Sequence, residues 1–187
     1  MGEDSLAPTL LLAMPQMEDP NFARSVVLLC RHEKDGAMGL VVNRKTDTRA
    51  TSVAVIEPPP VRDNGLEVWI GGPVEPHRGW LLLGFDPGTP GSLDVGQGLY
   101  LSASADTLRQ VIETESESGP SAEHRFLLGY AGWGGGQLEA ELAASAWLTA
   151  DVSKPLIFET PAESMWEAAI RSLGINPYSL QMGSGVH

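Results

Sequence analysis

The sequence predicts an α+β fold, with a mixed and mostly antiparallel sheet flanked by about three helices. Three observations carry this. In the first half, short apolar runs rich in β-branched residues are separated by Gly- and Pro-containing turns of hairpin length. Helical periodicity begins only after residue 104, where helices interleave with further strands. Finally, 187 residues that are 42% hydrophobic and carry no internal repeat fit one domain, long enough to bury a core without cross-links.

Each element has a local reason. Residues 9–14 are a continuous apolar run stopped by Pro15. Residues 25–30 and 38–42 are two more, joined by the turn segment 32–36 that ends in Gly36. They read as an antiparallel hairpin, and their lack of alternation predicts burial on both faces. From 46 to 65 the pattern dissolves around Pro58-Pro59-Pro60 and the turn Asp63-Asn64-Gly65, which predicts mobility and no fixed site. Strands follow at 66–70, 80–83 and 99–101, with Gly71-Gly72-Pro73-Val74 turning between the first two and a Gly/Pro loop over 85–93.

The period then changes. Ala105, Leu108, Val111 and Ile112 fall on one helical face, with Asp106 in the first turn and a polar loop expected over 113–121. A strand over 126–130 runs into Gly132-Trp133-Gly134-Gly135-Gly136. A second helix starts near Gln137, with Leu138, Leu142 and Ala146 at four-residue steps. Residues 156–158 read as a last strand. Thr160-Pro161-Ala162-Glu163 reads as a capping box opening a third helix, which Gly174 stops. The domain is expected to span 1–187, with a core over about 8–174 and a loose tail over 175–187.

Charge and composition exclude several functions. The chain carries 24 acidic and 12 basic residues, a net charge of −12 that repels nucleic acid at long range, so direct nucleic-acid binding is not expected. Six of the basic residues lie between Arg24 and Arg49, opposed only by Glu33, Asp35 and Asp47, so an anion site is most cheaply placed there; solvated loop charge is the plainer reading. Cys30 is the single cysteine, which allows no internal disulfide and fits a reducing compartment. The N-terminus is acidic and its apolar run is too short for a signal core or a membrane span, so a cytoplasmic location is expected and no membrane partner.

Most catalytic signatures fail on spacing. The glycines at 132 and 134 are followed by Gln137 where a dinucleotide fingerprint needs a third glycine, and no Lys follows as in a P-loop. Backbone freedom that turns Trp133 inward is the simpler role for that cluster. The four histidines have no metal-ligand spacing, and Cys30 with His32 makes only two ligands, so neither metal nor cofactor is expected. G-x-S-x-G is absent. Ser25 and His32 sit ~20 Å apart at opposite ends of one strand, too far for a dyad. Arg24 precedes a buried strand, where it can pair with a carboxylate such as Asp19 or anchor an anionic ligand.

Four segments together resemble the AlgH/YqgE family of bacterial proteins. They are Leu11-Leu12-Ala13-Met14-Pro15 with Asp19-Pro20 and Phe22; Arg24-Ser25-Val26-Val27 through His32 to Gly39-Leu40 and Asn43-Arg44; Gly71-Gly72-Pro73-Val74; and Leu128-Gly129-Tyr130-Ala131-Gly132-Trp133-Gly134 with Gly136-Gln137-Leu138-Glu139. The resemblance runs from about 10 to 174. It implies one α+β domain with coiled, barrel-like sheets, and a transcriptional-regulator label that stems from a genetic link to alginate production. It supplies no reaction. Lys45 stands where the family usually has Pro, and Gly84 where many relatives have His, which removes a possible general base.

The leading expectation is a non-catalytic regulatory or ligand-binding module. Its pocket would be framed by Arg24, Ser25, Asn43, the Gly71-Gly72 turn, Tyr130, Trp133 and Gly134, with His32 a weaker candidate and no catalytic residue assigned. Arg24 would hold a small anionic ligand, Asn43 and Ser25 would hydrogen-bond it, and Trp133 would wall it. One alternative is a hydrolase- or transferase-type enzyme using Ser25, His32 or Tyr130. The other is an interaction module for a regulatory protein partner, through an apolar patch at Trp69, Trp80 or the Pro58 loop.

Overall fold

The computed structural model describes residues 5–114 and 123–183. The strands are β1 (Thr9–Ala13), β2 (Val26–Glu33), β3 (Gly36–Val41), β4 (Lys45–Arg49), β5 (Glu67–Ile70), β6 (Val74–Leu83), β7 (Leu93–Gly96), β8 (Leu99–Ser102), β9 (His124–Gly134) and β10 (Trp147–Ala150). The helices are α1 (Ala50–Val53), α2 (Ala105–Glu113), α3 (Gln137–Ala143), α4 (Lys154–Glu159), α5 (Ala162–Ser172) and α6 (Pro177–Gly183).

One curled, half-barrel sheet runs in the order β10-β1-β2-β3-β9-β6-β8-β7, with β5 pairing β9 and β4 pairing β5. Every pairing is antiparallel except β5 with β9. The fold class is therefore the α+β, mixed and mostly antiparallel one the sequence predicts. The continuous apolar runs are central strands: Leu10, Leu11, Leu12 and residues 26–29 are wholly buried, on both faces of the sheet. One face packs with α4 and α5 through Phe158, Trp166 and Ile170, and the other holds Trp133, Leu138 and Trp147.

β9 organises the sheet because one of its edges serves two strands. Residues 126–128 pair with β5, and residues 131–134 pair with β3. At the switch the chain leaving β5 crosses close over β9. Gly71 donates its N–H to Leu128 O and accepts from Val41 N–H, tying β3 to β9. A Cβ on Gly72 would run into the Tyr130 backbone, and one on Gly129 into Gly72 O. Gly129 also has a left-handed φ of 78°. Only glycine fits these approaches.

The second half departs from expectation in several places, among them β10, which forms just after α3 ends at Ala143 where the second helix was expected to run on through Ala146. Residues 156–158 are not a strand but lie in α4: Ser153 Oγ caps Leu156 N, and Pro155 sits in the first turn, where its missing N–H costs nothing. The expected capping box does not form. Thr160 Oγ1 faces Pro155 O, and α5 starts behind Pro161 with no side-chain cap. The tail is not loose through 183, because α6 forms and Leu180 packs with Ile175 on the core; residues 184–187 lie outside the described residues. Among the described residues six helices form rather than about three, although α1, in the first half, is a single turn.

The expected loop over 113–121 also lies mostly outside the described residues, with α2 ending at Glu113. Residues 46–65 are more ordered than their composition suggests. Asp63 accepts from Thr51 and Gly65, and Asn64 donates to Val111 O.

Candidate functional site

The two ends of β2 carry the polar groups that the sequence singles out. At its start, Arg24 adopts a left-handed φ of 54°. Asn43 holds that turn with both ends of its amide: Oδ1 accepts from Val26 N–H and Nδ2 donates to Arg24 O, each at 3.0 Å. Arg24 does not pair with Asp19. Its guanidinium meets Glu167 at 3.0 Å and stacks 4.7 Å from the Trp166 ring centroid. Arg44 donates to Ala23 O. Ser25 is fully buried, and its hydroxyl has no hydrogen-bond partner among the described residues. A shallow pocket of about 220 Å³ lies here against α5, with Glu163 on its wall.

In this corner the expected anion-binding groups are engaged in internal contacts or buried. Glu167 already balances Arg24, Asn43 is spent on the backbone, and Ser25 does not reach the surface. Trp133 is not its wall. The single pocket framed by all the candidates is thereby corrected. Gly71 and Gly72 form the strand crossing, and Gly134 N–H is taken by Gln137 Oε1 at 3.0 Å.

Tyr130 and Trp133 lie elsewhere, in a larger cleft of about 360 Å³ at the other end of β2. Cys30, Arg31 and Met38 enter it from β2 and β3, Arg78 and Trp80 from β6, Leu93 and Leu101 from β7 and β8, and Tyr130 and Trp133 from β9. Its walls are mainly apolar and aromatic, with Arg31, Arg78 and Asp35 as the charged groups. Trp80 and Tyr130 pack edge to face at 6.3 Å, and the Arg78 guanidinium lies 4.4 Å from the Trp80 ring centroid. The Tyr130 hydroxyl faces Glu75, whose hydrogen bond and negative charge push the phenol pKa above its ordinary value.

The backbone of β6 explains this rim. Val74 pairs Tyr130 and Gly79 pairs Leu128, so extra β6 residues loop out between the two registers. That bulge carries Glu75 and Arg78 to the mouth of the cleft.

A supporting layer orients the wall. Glu141 Oε1 accepts from the indole N–H of Trp133 at 3.1 Å and of Trp147 at 2.9 Å, and the two rings pack edge to face. His32 is a strand residue rather than a turn residue. Its Nδ1 accepts from Leu6 N–H, leaving Nε2 as the donor to Glu139 at 2.9 Å. That bond is the main reason the Glu139 carboxyl is held below its usual range.

Nucleophilic chemistry has little to work with here. Burial pushes the Cys30 thiol up to about 12, so it stays protonated at neutral pH. Among Ser25, His32 and Tyr130, only Tyr130 lines the cleft. Among the described residues no three His, Cys, Asp or Glu side chains gather to hold a metal ion. Nor is any helix there long and apolar enough to cross a membrane.

Sequence reasoning missed Met38, Arg78, Trp80, Leu93 and Leu101 as neighbours of Tyr130. It also missed Arg125, a buried guanidinium between Trp69 and Phe158 that donates to Phe158 O at 2.7 Å. Desolvation lowers its pKa to about 10, so it remains charged. The expected apolar patch does not include Trp69, which is buried; near the Pro58 loop, Val53, Val55 and Val61 are exposed large hydrophobic residues.

Comparison with known proteins agrees with this architecture. The chain superposes on the solution structure of the AlgH protein from Pseudomonas aeruginosa with a TM-score of 0.75 and 37% identity, covering 97% of each chain. A crystal structure of a Corynebacterium diphtheriae protein gives a TM-score of 0.71 at 22% identity, covering 92% of this chain and 90% of that one, and so supports the fold alone. Among sequences, a UPF0301 protein of Myxococcus xanthus is 40% identical over 98% of this chain and 99% of its own length. One of Ruegeria pomeroyi is 41% identical over 96% and 98%. The profile of the AlgH-like family matches residues 10–178, and the chain belongs to that family.

Proposed function

We propose that the protein is a non-catalytic ligand-binding module of the cytoplasm, whose site is the cleft between Trp80 and Tyr130 and whose role is regulatory through its ligand or a protein partner. The observation that carries this is the cleft itself. Its volume of about 360 Å³, its apolar and aromatic walls and its few charged groups at the rim are the properties of a small-molecule site. The position fits too, since mouths of curled sheets collect ligands. Regulation by direct DNA contact is disfavoured by the net charge of −12.

The enzyme reading needs at least two reactive side chains in one cavity, and of its three candidates Tyr130 alone lines this cleft.

A thermal-shift screen with small anionic, aromatic and nucleotide ligands tests the proposal. A ligand at ~100 times its Kd should stabilise the protein by about 2.7 kcal/mol. The shift should vanish in Trp80→Leu and persist in Arg24→Ala. A hit with the opposite dependence would place the site at Arg24 and end this reading.

A further inference from the structure

The mouth of the cleft holds one guanidinium that is fixed in place but largely unspent. Arg78 is braced over Trp80 at 4.4 Å, yet among the described residues its N–H groups make no hydrogen bond. Its one partner is Glu75, at 3.5 Å. That is longer than the ~2.7–2.9 Å of a charge-assisted hydrogen bond. Both side chains are about half exposed, at 49% and 54%, so the pair is weak and exchangeable. Glu75 also occupies a strained left-handed φ of 45° on the β6 bulge, facing the Tyr130 hydroxyl. A carboxylate therefore already sits between a planar guanidinium and a phenol O–H, at the rim of an apolar cavity.

We propose that the cleft takes a monocarboxylate carried on an apolar body, and that Glu75 is the internal counter-ion which the ligand's carboxylate replaces at Arg78. The inference rests on the cleft being the ligand site. The guanidinium fork matches a carboxylate in shape as well as charge, and the Tyr130 hydroxyl adds a third donor on the same side. Met38, Leu93 and Leu101 line the cavity where the apolar body goes. Asp35 on the cleft wall and Glu75 beside it make a second negative charge unfavourable, which selects a monoanion over a phosphate ester or a nucleotide.

Isothermal titration with phenylpropionate and with its neutral amide, phenylpropionamide, tests this, with chemical shifts of the Trp80 indole N–H reporting the site. The acid should bind about tenfold more tightly than the amide, the gain from one charge-assisted contact. Arg78→Gln should bring the two within about twofold, and Glu75→Gln should tighten the acid severalfold while leaving the amide unchanged. Equal affinity of acid and amide at Trp80 would overturn the carboxylate assignment and leave the cleft as the site. The assignment falls in the same way if phenyl phosphate outbinds the acid, or if Glu75→Gln weakens it. Failure of both probes to perturb Trp80 would overturn the assignment together with the cleft reading.

Discussion

At the start of β2, Arg24, Asn43 and Arg44 gather beside Trp166; at its end, Arg31 and Arg78 gather beside Trp80 and Tyr130. Each region has guanidinium groups, an indole platform and a carboxylate within reach. At the first, hydrogen bonds of 3.0 Å run from Arg24 to Glu167, from Val26 N–H to Asn43, from Asn43 to Arg24 O and from Arg44 to a carbonyl. At the second, the Arg78 contact is 3.5 Å long, and the cavity behind it is larger. Residue type alone does not distinguish a site from a brace. What distinguishes them here is how firmly the fold holds the guanidinium: Arg24 is hydrogen-bonded to Glu167 at 3.0 Å, whereas Arg78 meets Glu75 only at 3.5 Å.

Substitutions that break the brace should cost stability without touching the cleft. Asn43→Ala carries the largest effect. It leaves the buried Val26 N–H without its acceptor and frees the Arg24 turn, for a loss of about 2–3 kcal/mol in chemical denaturation. A loss below about 1 kcal/mol would mean that water replaces the amide, and the corner would be less saturated than its geometry implies.

The corresponding brace under the cleft is Glu141. Its replacement by Ala strands the indole N–H groups of Trp133 and Trp147 and should cost about 2 kcal/mol. Unlike Asn43→Ala, it should also weaken any ligand held in the cleft, because Trp133 forms part of the wall. Equal ligand affinity in both variants would erase the distinction between the two regions.

How far the sequence separates these regions follows from what sets each element. The strands β1, β2, β3, β5 and β8, and α2, α3 and α5, are legible because apolar runs and helical spacing record local burial. The run 156–158 is not, since three apolar residues suit a buried strand or one helical turn equally; the Ser153 cap and Pro155 were the available signals. β4 is polar and mostly exposed, and its pairing with β5 leaves no mark on its own residues.

The site was half legible for a related reason. The closeness of Arg24 and Asn43 follows from the β2–β3 hairpin. That Trp80, Leu101 and Tyr130 meet depends on β6 pairing both β8 and β9, a relation no local pattern encodes.

Smaller effects sharpen the same contrast. Arg24→Ala should cost no more than about 1 kcal/mol, since its ion pair is exposed and its stacking on Trp166 modest. Cleft ligands should bind it as they bind the wild type. Ser25→Ala removes a buried hydroxyl that has no partner, so stability should hold or rise by up to ~1 kcal/mol. A clear loss in thermal unfolding would reveal an unrecognised partner for that oxygen.

The smallest effect belongs to Glu139 and bears on whether contacts next to Arg31 persist in solution. The His32 hydrogen bond is the main cause of its lowered pKa. A carboxyl whose folded pKa is depressed contributes stability that is present above its unfolded value of about 4.3 and is lost as pH falls through the folded one. His32→Phe removes the donor, so the Glu139 pKa should rise toward its ordinary value in a carboxyl NMR titration, and this small acid-side loss should disappear. Because Leu6 N–H occupies Nδ1, the neutral ring has only Nε2–H to offer, which fixes the direction of the bond. An unchanged Glu139 titration in the variant would show that the contact does not persist in solution, and His32 would then not count among the braces.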